Sequence, residues 1–108
     1  MNRIKIKALS VNLCWRGRRF KTDDYLDFEK EMLHLLPKDK ISSGRLFLRL
    51  KIGLSNRRAD IDNPVKPILD ILQKKYGFND NQIYLMEIEK EDVEKGKEYI
   101  EFDFSPLD

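Results

Sequence analysis

The ten residues from Arg45 to Leu54, "RLFLRLKIGL", are rich in β-formers and nearly free of breakers. Such a run reads as a central strand, buried over much of its length. Beyond it, Val65, Ile68, Leu69, Leu72 and Tyr76 recur at i, i+3, i+4, i+7 and i+11, and Gly77 offers a natural C-terminal cap. A buried strand that hands over to an amphipathic helix calls for a layered α/β arrangement. The flanks agree. "RIKIKAL" alternates polar and apolar residues as a half-buried strand does. "DDYLDFEKEMLHLLP" carries Tyr25, Phe28, Met32 and Leu36 at helical spacing, with Leu26, Leu33 and Leu35 widening the stripe, until Pro37 stops it. Either Thr22 or Asp23 suits its N-cap. "QIYLMEIEK" and "KEYIEFDF" predict two further strands, and Gly96 between them suits a hairpin turn. The expected fold is α/β (α+β): one domain over residues 1–108, a mixed β-sheet with two helices, in the order β-α-β-α-β-β. "SVNLCWRGRRFKT" has no sustained period and reads as a loop.

A chain of 108 residues supports one modest core. With 41% hydrophobic and 37% charged residues it has the composition of a highly charged globular domain rather than a disordered chain. No run approaches the ~20 apolar residues of a membrane span, and the basic, polar start does not resemble a secretion signal. A cytoplasmic protein without membrane attachment is expected. One cysteine, Cys14, excludes an intramolecular disulfide, and with His34 as the only histidine there is no zinc constellation. Any metal must be held by oxygen. His34 falls with Asp27 and Glu31 on the polar side of the first helix and reads as a surface residue. The net charge of +2 conceals an asymmetry, since every charged residue before Asp23 is basic, whereas acids outnumber bases from Asp80 onward. That suggests a polyanionic partner, although charged surface strands give similar counts.

The handover between strand and helix, "RRADIDNPVKPILDIL", is unusually charged. In an extended segment Asp60 and Asp62 project to the same side, with Ile61 turned toward the core. Two carboxylates in one small volume call for a metal or a basic group. Asn63 suits an N-cap with Pro64 in the first helical position. Lys66 and Asp70 then share its polar face, and Pro67 predicts an irregular first turn. The plain alternative makes Asp60 and Asp62 cap and turn residues and Lys66 with Asp70 a surface ion pair. A calcium loop of EF-hand type is excluded, because Val65 and Ile71 occupy the positions of its glycine and terminal glutamate.

"DIDNPVKPILDIL" followed by "GFNDNQI" resembles the RusA family of Holliday-junction resolvases, whose pattern is Asp-x-Asp-Asn-x-x-Lys-x-x-x-Asp, then a short helix and an Asp-Asp-x-Gln element. The match falls on Asp60, Asp62, Asn63, Lys66, Asp70, Asp80 and Gln82. "LSVNLCWRGRRFKT" is similar to the family's Ser-x-Asn element and basic loop. One departure is Asn79-Asp80, where the family has paired aspartates. The resemblance implies a magnesium-dependent (manganese as substitute), structure-specific endodeoxyribonuclease of DNA recombination and repair. It would resolve four-way junctions to 5′-phosphate and 3′-hydroxyl ends. Asp60, Asp62 and Asp80 would hold the metal. Lys66 would neutralise transition-state charge or orient water, and Asn63 and Asp70 would support them. It further implies a C2 homodimer and DNA contacts from Arg16, Arg18, Arg19 and Lys21, with Asn12 carried over without a defined role. Trp15 or Phe20 either stacks on an unpaired base or folds back on the core. Arg57 and Arg58 either hold phosphate or balance charge. Two rival readings are a non-catalytic nucleic-acid-binding module, in which the acidic corner is architectural, and a phosphohydrolase of small nucleotides, weakened by the lack of a phosphate-cradling glycine loop.

Overall fold

The computed structural model describes residues 2–17 and 20–107. Its elements are β1 (Asn2–Ile4), β2 (Trp15–Arg16), β3 (Phe20–Lys21), α1 (Asp23–Leu35), β4 (Leu46–Leu54), α2 (Val65–Tyr76), β5 (Ile83–Asp92) and β6 (Tyr99–Pro106). Two 3₁₀ turns, Val11–Leu13 and Asp80–Gln82, complete the set. The α+β class, the two helices and the mixed sheet agree with expectation. The stretch read as a loop instead contains a 3₁₀ turn and the short antiparallel ribbon β2–β3.

The main sheet runs β1-β6-β4-β5, with β4 parallel to β5 and antiparallel to β6. Along β4 the side chains of Leu46, Leu48, Leu50, Ile52 and Leu54 are buried among the core residues of the helices. Arg49 and Lys51 alternate with them and pair with Glu87, Glu89 and Glu91 of β5 on the opposite face. Period-two alternation thus makes one face of the sheet apolar and the other ionic. Ile68, Ile71 and Leu72 of α2 are fully buried, and each such side chain contributes roughly 1.5–3 kcal/mol by leaving water.

Three details depart from the sequence reading. β5 and β6 do not form a hairpin: β4 lies between them, and the connection crosses its end, where Val93 N–H donates to the Leu54 carbonyl at 3.0 Å. Gly96 (φ +93°) still makes the turn. In α1 the buried side is Tyr25, Phe28, Glu29 and Met32, whereas Leu26 and Leu35 are 47% and 38% exposed. Thr22 caps this helix, its Oγ1 accepting from Tyr25 N–H at 3.1 Å. In α2 the cap position is Pro64, one residue later than expected, and no side chain caps it. Gly77 ends that helix at φ +72°, as read.

Candidate active site

Beyond Leu54 the chain leaves the sheet and turns back into α2. Asn56 organises the turn, accepting from Arg58 N–H at 3.0 Å through its side chain and from Ala59 N–H at 3.1 Å through its carbonyl. Lys90, opposite Ile52 in the parallel pair, reaches across to donate to the Ala59 carbonyl at 3.0 Å and the Arg57 carbonyl at 3.4 Å. Sequence reasoning missed this anchor; the signal was that Lys90 shares its face with Met86 and Ile88.

Pro67 shapes the corner by what it lacks. A helical residue at its position would donate to the Asn63 carbonyl, but proline has no N–H. That carbonyl instead accepts from Val11 N–H at 2.8 Å, fastening the 3₁₀ turn of residues 11–13 to the acidic corner and setting exposed Asn12 next to it. The first turn of α2 is irregular as expected: Val65 N–H reaches the Asp62 carbonyl at 3.1 Å, and Ile68 N–H the Pro64 carbonyl at 3.3 Å.

Asp60 and Asp62 are both exposed here. The segment bends instead of extending, so the expected inward turn of Ile61 does not occur, and that side chain is 41% exposed. Asn63 Nδ2 lies 3.5 Å from Asp60 Oδ2. Lys66 Nζ contacts Asp70 Oδ1 at 2.6 Å across one helical turn. The Asp70 carboxylate is felt inside the fold. Burial pushes the Tyr25 phenol up to about 12, with Asp70 and Glu29 adding to the effect. Burial, then Asp70, likewise raises the Cys14 thiol. Cys14 is fully buried, its Sγ donating to the Ser10 carbonyl at 3.4 Å.

Asp80 lies elsewhere. The parallel register pairs Leu46 with Ile83 and Leu54 with Asp92, so the turn Asp80–Gln82 stands at the start of β4 and Asp60 beyond its end. The nine residues of β4 span roughly 25 Å at ~3.3 Å per residue, with the two segments at its opposite ends. Gln82 fixes the arrangement, its Nε2 donating to the carbonyls of Ser43 and Gly44 at 3.0 Å and its Oε1 accepting from Asn79 N–H at 2.9 Å. Asn79 caps the same turn by accepting from Asn81 N–H at 3.1 Å. One chain therefore brings Asp60 and Asp62 into one corner but leaves Asp80 at the other end of the sheet. Among the described residues no group of three or more His, Cys, Asp or Glu side chains is placed to hold a metal.

A cleft of about 620 Å³ opens at the corner, lined by Asp60, Arg58 and Asn63, by Lys7 and Ser10, and by Asp24, Asp27 and Glu31 of α1. The acidic α1 residues were not singled out from sequence, where they read as a solvated face. Arg57 is exposed, with Nε 3.9 Å from Asp92. His34 is exposed on α1, as read. Of the ribbon residues, Arg16 and Phe20 are exposed, Trp15 rests edge-on against Tyr25 and Lys21 contacts Glu29. Arg18 and Arg19 lie outside the described residues.

The paired aspartates and the lysine stand where the central strand enters a helix, tied by backbone hydrogen bonds to a ribbon that carries Arg16 and Lys21. Residues 15–102 match the family described as Endodeoxyribonuclease RusA. This chain belongs to that family. A search of curated proteins returned no match. No helix is long and apolar enough to cross a membrane among the described residues.

Proposed function

We propose that the protein is a magnesium-dependent endonuclease that cuts four-way DNA junctions on paired strands, in recombination and repair. The observation that carries this reading is that Asp60, Asp62 and Lys66, all exposed, follow the carboxyl end of the central strand in the family pattern. The donors suit the ion: they are hard oxygens open to solvent, and magnesium keeps several waters while using one or two carboxylates with a substrate phosphate. Manganese suits the same donors. When bound, the metal supplies a Lewis acid and a water of lowered pKa. The remaining work falls to the chain. Lys66 donates to a non-bridging phosphate oxygen as negative charge accumulates there, and Asp70 aims its ammonium. Asn63 steadies Asp60. Arg58, in the cleft beside Asp60, binds a flanking phosphate. In-line attack by water leaves 5′-phosphate and 3′-hydroxyl ends.

A junction has approximate two-fold symmetry, and two incisions call for two equivalent sites in a C2 homodimer. An antiparallel dimer would also account for the position of Asp80. β5 is an edge strand, paired with β4 alone among the described residues. Two copies set antiparallel along that edge bring the start of one β5 toward the end of the other copy's β4. Asp80 then meets Asp60 and Asp62 between chains.

The test is cleavage of a synthetic four-way junction with magnesium, comparing the protein with Asp62→Asn. The substitution should lower the cleavage rate on the order of a thousandfold, since metal charge stabilisation is worth several kcal/mol, while junction binding survives. The absence of three gathered acids within one described chain favours a second reading, a non-catalytic junction-binding module. Binding without cleavage by the unsubstituted protein selects that reading instead.

A further inference from the structure

The ribbon β2–β3 has two faces with different surroundings. Trp15 opposes Lys21, and Arg16 opposes Phe20. Directly opposed residues share a face, and neighbours along a strand point to opposite ones. The Trp15–Lys21 face is held against the body of the protein. Trp15 meets the Tyr25 ring edge-on at 5.7 Å, and Lys21 Nζ lies 2.9 Å from Glu29 and 5.2 Å from the Tyr25 ring centre. Among the described residues the other face makes no such contact: Arg16 is exposed, and Phe20 is 71% exposed, more than any other large apolar side chain described.

The ribbon is also tied to the acidic corner. Thr22 N–H donates to the Cys14 carbonyl at 2.9 Å, Cys14 N–H to the Val11 carbonyl at 3.1 Å, and Val11 N–H to the Asn63 carbonyl at 2.8 Å. Whatever the ribbon grips is therefore held in a fixed relation to Asp60 and Asp62.

We infer that Phe20 stacks on an unstacked base at the branch point of the DNA while Arg16 binds the adjoining phosphate. Trp15 and Lys21 position the ribbon and do not touch the base. The inference rests on the junction-cutting reading above and supplies its selectivity. An aromatic ring gains by stacking on any exposed base face, whatever the sequence, and a continuous duplex offers none between its ends. A guanidinium on a phosphate binds branched and linear DNA alike.

The experiment measures binding, in calcium to prevent cleavage, of a four-way junction carrying 2-aminopurine at the branch point and of a linear duplex of equal length. Phe20→Ala should weaken junction binding about tenfold, within the range for loss of one aromatic stack, leave duplex binding unchanged and abolish the 2-aminopurine signal. Phe20→Trp should restore both junction binding and the signal. Arg16→Ala should weaken both DNAs equally and reduce the salt slope by about one. Phe20 is exposed, so the variants should fold, and circular dichroism checks that they do. If the unsubstituted protein prefers the junction and Phe20→Ala keeps both the preference and the signal, the stacking inference fails while the junction reading stands. If the unsubstituted protein shows no preference, both fail.

Discussion

Glu29 is a charged residue that α1 turns toward the core. It is 9% exposed, and its two oxygens meet Lys21 of β3 at 2.9 Å and Lys74 of α2 at 3.3 Å. Burial pushes its carboxyl upward, but the hydrogen bonds from Lys21 and Lys74 outweigh burial and hold it below the ordinary value of 4.5. A carboxylate with a lowered folded pKa stabilises the fold fully above the unfolded value, and the contribution is lost as pH falls through the folded one. Glu29→Gln should therefore cost about 1–2 kcal/mol at pH 7, a figure kept small because Lys74 is well exposed. In urea titrations the gap between the variant and the original protein should narrow as pH falls from the ordinary value of 4.5 through the lowered folded one. A gap that does not narrow as pH falls means the loss came from packing and not from charge. Glu29 also shows why the apolar stripe of α1 was only partly legible. Tyr25, Phe28 and Met32 were read correctly from their spacing, but a charged side chain on that face goes unnoticed when only apolar residues are counted. Leu26 and Leu35 were then assigned to a core that does not reach them.

At the scale of elements, local periodicity revealed the helices and the long strands, because alternation and the 3.6-residue stripe follow from which side meets the core. The order of strands was not legible. Whether β6 pairs with β5 or inserts beyond β4 depends on contacts far apart in sequence, and Gly96 permits either. Gly53 records the outcome. It pairs with Tyr99, whose ring covers it so closely that a Cβ there would come within 2.4 Å of the ring. The ring is fixed in turn by its hydroxyl donating to Glu91 at 2.8 Å and by the Arg3 guanidinium 3.9 Å above its centre. Gly53→Ala must displace a ring held on both sides and should cost about 1–3 kcal/mol, the range for inserting a methyl into a packed site. A denaturation midpoint equal to that of the original protein would show that the ring moves freely. The ribbon β2–β3 escaped notice for a different reason: two residues per strand are too few to display a period.

Across the whole molecule, the acidic corner was legible in one stretch of sequence because Asp60, Asp62, Asn63 and Lys66 are neighbours along the chain. The place of Asp80 was not, since it depends on which end of the sheet α2 returns to. A helix joining two parallel strands must travel back along them, so the residue after it starts where the first strand started. The separation of Asp80 from Asp60 is thus a property of the topology, and a site using all three acids must draw on two chains. Mixing two inactive variants decides the matter. Asp62→Asn and Asp80→Asn homodimers should each be inactive. In a mixed dimer formed by refolding them together, one site combines the intact Asp62 of one chain with the intact Asp80 of the other, and the second site carries both substitutions. Random pairing makes about half the dimers mixed, each with one working site of two, so roughly a quarter of the original sites return. The product should be a nick in one strand of the junction and not a paired incision, because each mixed dimer cuts once. If all three acids served from the same chain, every site in the mixture would carry a substitution and no nick would appear.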